Sequence, residues 1–146
     1  MPDPLRFRAS LLRCARLMSD EINIILLPHQ LNYSLWQVLY VIQLKHGCTS
    51  IDIAEYLNVS KPSIAKRIHT LMQLEVLEQV DTEDKRQKKL ILSPKGVELF
   101  KICSEKMDVF EQRLLLPLDQ NSQNCALDTL HTLMDHLQEL KSGTQP

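Results

Sequence analysis

Residues 51–80 read IDIAEYLNVSKPSIAKRIHTLMQLEVLEQV. Two helices, a tight corner and the start of a strand are legible in them. Asn58-Val59 is a turn, after which Ser60 can accept from the backbone of a new first turn. Pro62 sits inside that turn, where its missing N–H costs nothing. Upstream, Thr49 and Asp52 have capping-box spacing, with Asp in place of the usual Glu or Gln, and open a short helix over 50–57. That helix turns Ile53, Ala54 and Leu57 inward. The helix after Ser60 keeps Ile64, Ile68, Leu71 and Met72 on one stripe.

The next stretch, DTEDKRQKKLILSPKG at 81–96, packs three acids and four bases into its first nine residues. It reads as the loop and return strand of a hairpin. Strands are predicted over 76–80 and 87–92, with Leu90 and Leu92 on one face. Ser93-Pro94 then caps a fifth helix that runs to about Leu116 and is stopped by Pro117. A helix pair followed by a hairpin is a winged helix-turn-helix layout.

Flanking this motif, residues 4–27 place Leu5, Leu11, Leu12, Ala15, Met18, Ile22, Ile25 and Leu26 at helical spacing, with Pro28 past the end. Ser34 is expected to cap a second helix over 35–45, with Trp36, Leu39, Tyr40 and Val41 inward and Gly47 closing it. Ser122 or Asn124 opens a sixth helix, whose Leu127, Leu130, Met134, Leu137 and Leu140 form a stripe with nothing obvious in the chain to cover it. The expected fold is mainly α with a small β-hairpin wing and long N- and C-terminal helices.

Net charge is −1, from 17 basic and 18 acidic residues, so bulk charge argues for no partner. Its distribution does argue. Residues 60–95 hold eight bases against five acids, and residues 101–146 hold four bases against seven acids. A basic middle suits a polyanion. Cys14, Cys48, Cys103 and Cys125 are scattered and read as reduced, half-buried thiols. His29, His46, His69, His131 and His136 are dispersed, which predicts no metal site. The best N-terminal apolar run, 24–27, is too short for a signal or membrane segment, so a cytoplasmic location is expected. With three glycines, no nucleophile elbow and no carboxylate pair, no enzyme or cofactor is expected.

With Ile64 and Ile68 inward, Lys61, Pro62, Ser63, Lys66, Arg67 and Thr70 face outward, and residues 61–73 contain no acid. Lys61 and Lys66 suit phosphates, and Arg67 or Ser63 suits base edges in a major groove. At the hairpin tip, the planar head of Arg86 suits a narrow, negative minor groove. Lys85, Lys88 and Lys89 would flank it, and Asp84 is close enough to aim the guanidinium. The hairpin charges serve equally well as a solvated turn that guards an edge strand.

The order of these features resembles the MarR family of bacterial regulators. The block 51–80 is similar to that family's helix-turn-helix and first wing strand. DKRQKKLILSPKG matches its D-x-R-x-x-x-L-x-L-[ST]-x-x-G wing signature through Asp84, Arg86, Leu90, Leu92, Ser93 and Gly96. The resemblance implies one regulator domain over 1–146, with a DNA-binding part at 34–96 and dimerisation helices at 4–28 and 97–141. It further implies a homodimer acting as a repressor on pseudo-palindromic double-stranded DNA. Ser60, Lys61, Pro62, Ser63, Lys66, Arg67 and Thr70 would lie at the major groove, and Asp84, Lys85, Arg86 and Lys88 at the wing. The resemblance also implies a small aromatic effector in a crevice that Tyr33, Trp36, Tyr40, Arg13 and Arg16 could line, although core packing explains the aromatics equally well. Val97, Phe100, Met107, Phe110 and Leu114 need partners of their own. One departure stands out. Glu75 occupies the place where the family has Gly, and a left-handed cap is strained for Glu, so the turn into the wing is expected to differ. The competing reading is a winged helix used for protein–protein contact.

Overall fold

A computed structural model describes residues 4–84 and 86–143. It contains α1 (Pro4–Leu26), α2 (Tyr33–Leu44), α3 (Ser50–Leu57), α4 (Lys61–Gln73), β1 (Leu77–Asp81), β2 (Lys88–Leu92), α5 (Pro94–Leu115) and α6 (Gln120–Gly143). A 3₁₀ turn at Leu27–His29 follows α1. The two strands pair antiparallel, with Leu77 opposite Leu92 and Asp81 opposite Lys88. This is the expected winged helix-turn-helix, with both strands starting one residue later than predicted.

The helix pair forms for the reasons legible in its sequence. Thr49 and Asp52 complete a reciprocal capping box, Oγ1 accepting from Asp52 N–H at 3.2 Å and the carboxylate accepting from Thr49 N–H at 3.0 Å. Ser60 accepts the Ser63 N–H at 3.3 Å with Pro62 in the first turn. Two other caps differ from expectation. α2 begins at Tyr33 because Asn32, not Ser34, supplies the cap, its Oδ1 accepting the Leu35 N–H at 2.9 Å. α6 begins at Gln120 because Asp119, not Ser122 or Asn124, accepts the Ser122 N–H at 2.7 Å.

The core lies where α2, α3, α4 and the wing meet. Val38, Leu39, Ile42, Ile53, Ile64, Leu71, Val76 and Leu90 are buried there. Trp36 stacks on Phe100 with ring centroids 4.7 Å apart. Tyr40, expected inward, is exposed, because the buried arc of α2 runs through Leu35, Val38, Leu39 and Ile42. The thiols are not uniformly half-buried: Cys48 and Cys103 are buried, whereas Cys14 and Cys125 are exposed.

The chain divides into two compact units, Met1–Met107 and Asp108–Pro146. The first reaches Met107 because Leu99, Phe100, Cys103 and Met107 of α5 pack on the winged core. Phe100 and Met107 therefore find partners in their own unit. Val97 stays exposed, as does Leu114 in the second unit. No described helix is long and apolar enough to cross a membrane.

Candidate nucleic-acid interface

The outer face of α4 carries Lys61, Pro62, Ser63, Lys66 and Thr70, all exposed. Their side chains are not equally available. The Ser60 hydroxyl donates to Ser63 Oγ at 2.9 Å, which holds the two against the helix tip. Thr70 Oγ1 bonds back to the Lys66 carbonyl at 3.2 Å, a common resting place for a helical hydroxyl. Lys61 and Lys66 make no ion pair among the described residues, so their charges point to solvent.

Arg67 departs from its expected outward position. Its side chain is half-buried, and its Nη1 donates to the Ser34 carbonyl at 3.2 Å and to Gln37 Oε1 at 3.3 Å. Gln37 joins this arrangement from the structure alone. A solitary glutamine on a helix carries no local signal, and its role exists only because α2 and α4 pack together.

The wing and α4 line a common cleft. Arg86 is exposed. Asp84 does not grip its guanidinium; the carboxylate accepts the Arg86 backbone N–H at 3.0 Å instead. The carboxylate thus shapes the main-chain turn at Arg86, in the manner of an Asx turn. Thr82 Oγ1 reinforces that turn against the carbonyls of Asp84 and Gln87, at 2.6 and 2.9 Å. Lys88 pairs with Asp81 across the strands, and this ammonium holds the Asp81 carboxyl below the usual carboxylate range. Lys85 lies outside the described residues. Between wing and helix, Arg86, Gln87 and Lys88 face Ile68, His69 and Met72 across an open cleft of about 450 Å³. His69 and Gln79 enter this rim from the structure alone.

The turn from α4 into the wing does not differ as expected. Glu75 adopts the left-handed conformation, φ 63°, and its carbonyl accepts the buried Ser93 hydroxyl at 2.7 Å. Of the two roles open to Trp36, effector site or core, its side chain takes the core. Arg16 pairs with Asp20 at 3.3 Å.

The MarR family model matches residues 29–87. The HTH-type transcriptional regulator YwoH of Bacillus subtilis (strain 168) is 33% identical over 101 residues, spanning 69% of this chain and 74% of its own. Among solved structures, a Staphylococcus aureus MarR in complex with salicylate and kanamycin superposes with TM-score 0.85 at 25% identity, covering 95% of this chain and 93% of that one. The S. aureus MepR–DNA complex gives TM-score 0.79 at 18% identity, covering 93% and 99%. With the capped helix pair, the hairpin and the Asp84–Gly96 signature in place, the chain belongs to the MarR family of winged-helix transcriptional regulators.

Proposed function

We propose that the protein is a homodimeric, sequence-specific binder of pseudo-palindromic double-stranded DNA that represses by occluding its site. The observation that carries this reading is the acid-free outer face of α4, where Lys61 and Lys66 stand unpaired among the described residues, with exposed Arg86 on the adjoining wing. Cations on the helix neutralise phosphates, and Ser63 with the Ser60 cap meets base edges. Arg86 enters the minor groove, with Asp84 shaping its turn and Lys85 and Lys88 beside it. The DNA bound to MepR and the salicylate bound to S. aureus MarR support a duplex partner and a small aromatic effector.

Support for the dimer comes from apolar surface left open in each unit. In α6 no residue is buried, and Leu127, Leu130, Met134, Leu137 and Leu140 are all exposed. In α1, Phe7, Leu12, Leu17 and Ile24 are each more than half exposed, at 51–64%. A twofold axis then matches two half-sites about one helical turn apart.

The test is a salt titration on a duplex selected from a random pool. Log K should fall linearly with log salt, and Arg86→Ala should flatten that slope by about one unit. Absence of duplex affinity in dilute buffer, combined with salt-independent capture of a protein partner, would establish the protein–protein reading instead.

A further inference from the structure

Arg67 lies on the helix assigned to the major groove, yet its guanidinium is turned back onto α2. Both of its acceptors are neutral, the Ser34 carbonyl at 3.2 Å and Gln37 Oε1 at 3.3 Å. The bond is therefore one of direction more than of charge. A planar guanidinium with five fixed donors suits that use, and an ammonium does not. The same turn of α2 is also bonded by α1, where Asn23 Oδ1 accepts the Tyr33 N–H at 2.7 Å. Directed links thus run from α1, through one turn of α2, to α4. Beneath them the contacts are aliphatic, through Ile64, Ile68 and Leu71. Such contacts fix which face of α4 turns inward, and a directed bond at the edge of that face narrows the roll they still allow.

We propose that Arg67 is a positioning residue. By tying α4 to the turn of α2 that α1 anchors, it narrows the roll that the apolar stripe of α4 leaves open. The roll decides which α4 side chains face the duplex and, in the dimer, how far apart the duplex-facing side chains of the two copies stand. This rests on the DNA-binding dimer described above.

The experiment uses the full chain and the selected duplex, together with versions whose half-sites are moved one base pair closer or farther apart. Arg67→Met and Arg67→Lys should each weaken binding roughly tenfold, the equivalent of one charge-assisted hydrogen bond. The salt slope and the preference at each base pair should stay unchanged, while discrimination against altered spacing falls. Gln37→Ala, which removes an acceptor without touching α4, should act in the same direction and covers the case in which an Arg67 variant fails to fold. The proposal is overturned if Arg67→Lys binds like wild type while Arg67→Met flattens the salt slope by about one unit, as for a phosphate contact. It is equally overturned if Arg67→Met relaxes preference at a single base pair, as for a base reader. A wild-type protein that binds no duplex sinks the parent reading first, a result visible before any variant is made.

Discussion

Ser93 joins three stretches of backbone beneath the wing. Its hydroxyl donates to the Glu75 carbonyl at 2.7 Å and accepts the Gly96 N–H at 3.0 Å, while its own N–H donates to the Val76 carbonyl at 3.0 Å. Gly96 is needed because a Cβ there would lie 2.1 Å from the Val76 oxygen. This accounts physically for the Ser and Gly of the signature, which a sequence displays without explanation. Ser93→Ala strands a donor and an acceptor in a buried place and should cost ~1–3 kcal/mol, read as a lower urea midpoint at unchanged slope. The thiols offer a second check. Burial pushes Cys48 and Cys103 above the usual thiol range, with Asp52 adding to the effect at Cys48. Thiolate is the reactive form. Cys14 and Cys125 should therefore react promptly with a disulfide reagent in the native protein, and Cys48 and Cys103 only after unfolding. A raised folded value also means that these two groups favour the native state fully below the unfolded thiol pKa. That stabilisation is lost as pH rises through their folded values.

Four of the helical segments share one way of ending. Gln30, His46, Asn58 and Glu75 close the 3₁₀ turn after α1, then α2, α3 and α4, each at positive φ between 53° and 63°. Each end carries the paired 6→1 and 5→2 bonds of a Schellman motif, such as Val76 N–H to Leu71 and Glu75 N–H to Met72 at 3.3 and 3.0 Å. At the end of α2, His46 takes the left-handed position and Gly47 follows it at φ 99°. A non-glycine residue in this conformation costs ~1–2 kcal/mol. Glu75→Gly should accordingly raise stability by ~1 kcal/mol, since the Ser93 bond uses the carbonyl and not the side chain. A midpoint that falls instead would mean that the Glu75 side chain stabilises the turn. Strain at this residue was foreseeable from its identity; the serine eighteen residues away that holds it was not. The misplaced caps at Asn32 and Asp119 have a simpler origin. Each sits in a run containing several good N-caps, and local chemistry alone does not rank them.

For the complete chain, the decisive quantity is how much apolar surface each unit leaves open. Obligate dimers bury roughly 2,000–5,000 Å², and α6, with no buried residue, offers open apolar surface to the proposed dimer. Leu130→Glu combined with Leu137→Glu should convert the proposed dimer to monomer in sedimentation at micromolar concentration and abolish duplex binding. Trp36, the only tryptophan, is buried against Phe100 and reports on the first unit. Its unfolding midpoint should move little, because its surroundings are buried without help from α6. A double variant that remains dimeric would place the interface elsewhere.

Element order, the helix-turn-helix, the hairpin and the capping box at Thr49 were all legible in the residues, because periodicity and capping are local properties of a chain. So was the cationic face of α4, which needs only a helix and its inward stripe. What the sequence could not supply was the destination of groups whose partners are remote. Arg67 leaves the outer face because Gln37 and Ser34 happen to lie within reach across the α2–α4 contact. Asp84 holds a backbone N–H instead of a guanidinium because the turn brings that donor nearer. Tyr40 faces solvent and Phe100 the core because helix rotation follows from packing against neighbours. A one-dimensional pattern specifies which faces are apolar, but only folded contacts specify what each of them meets.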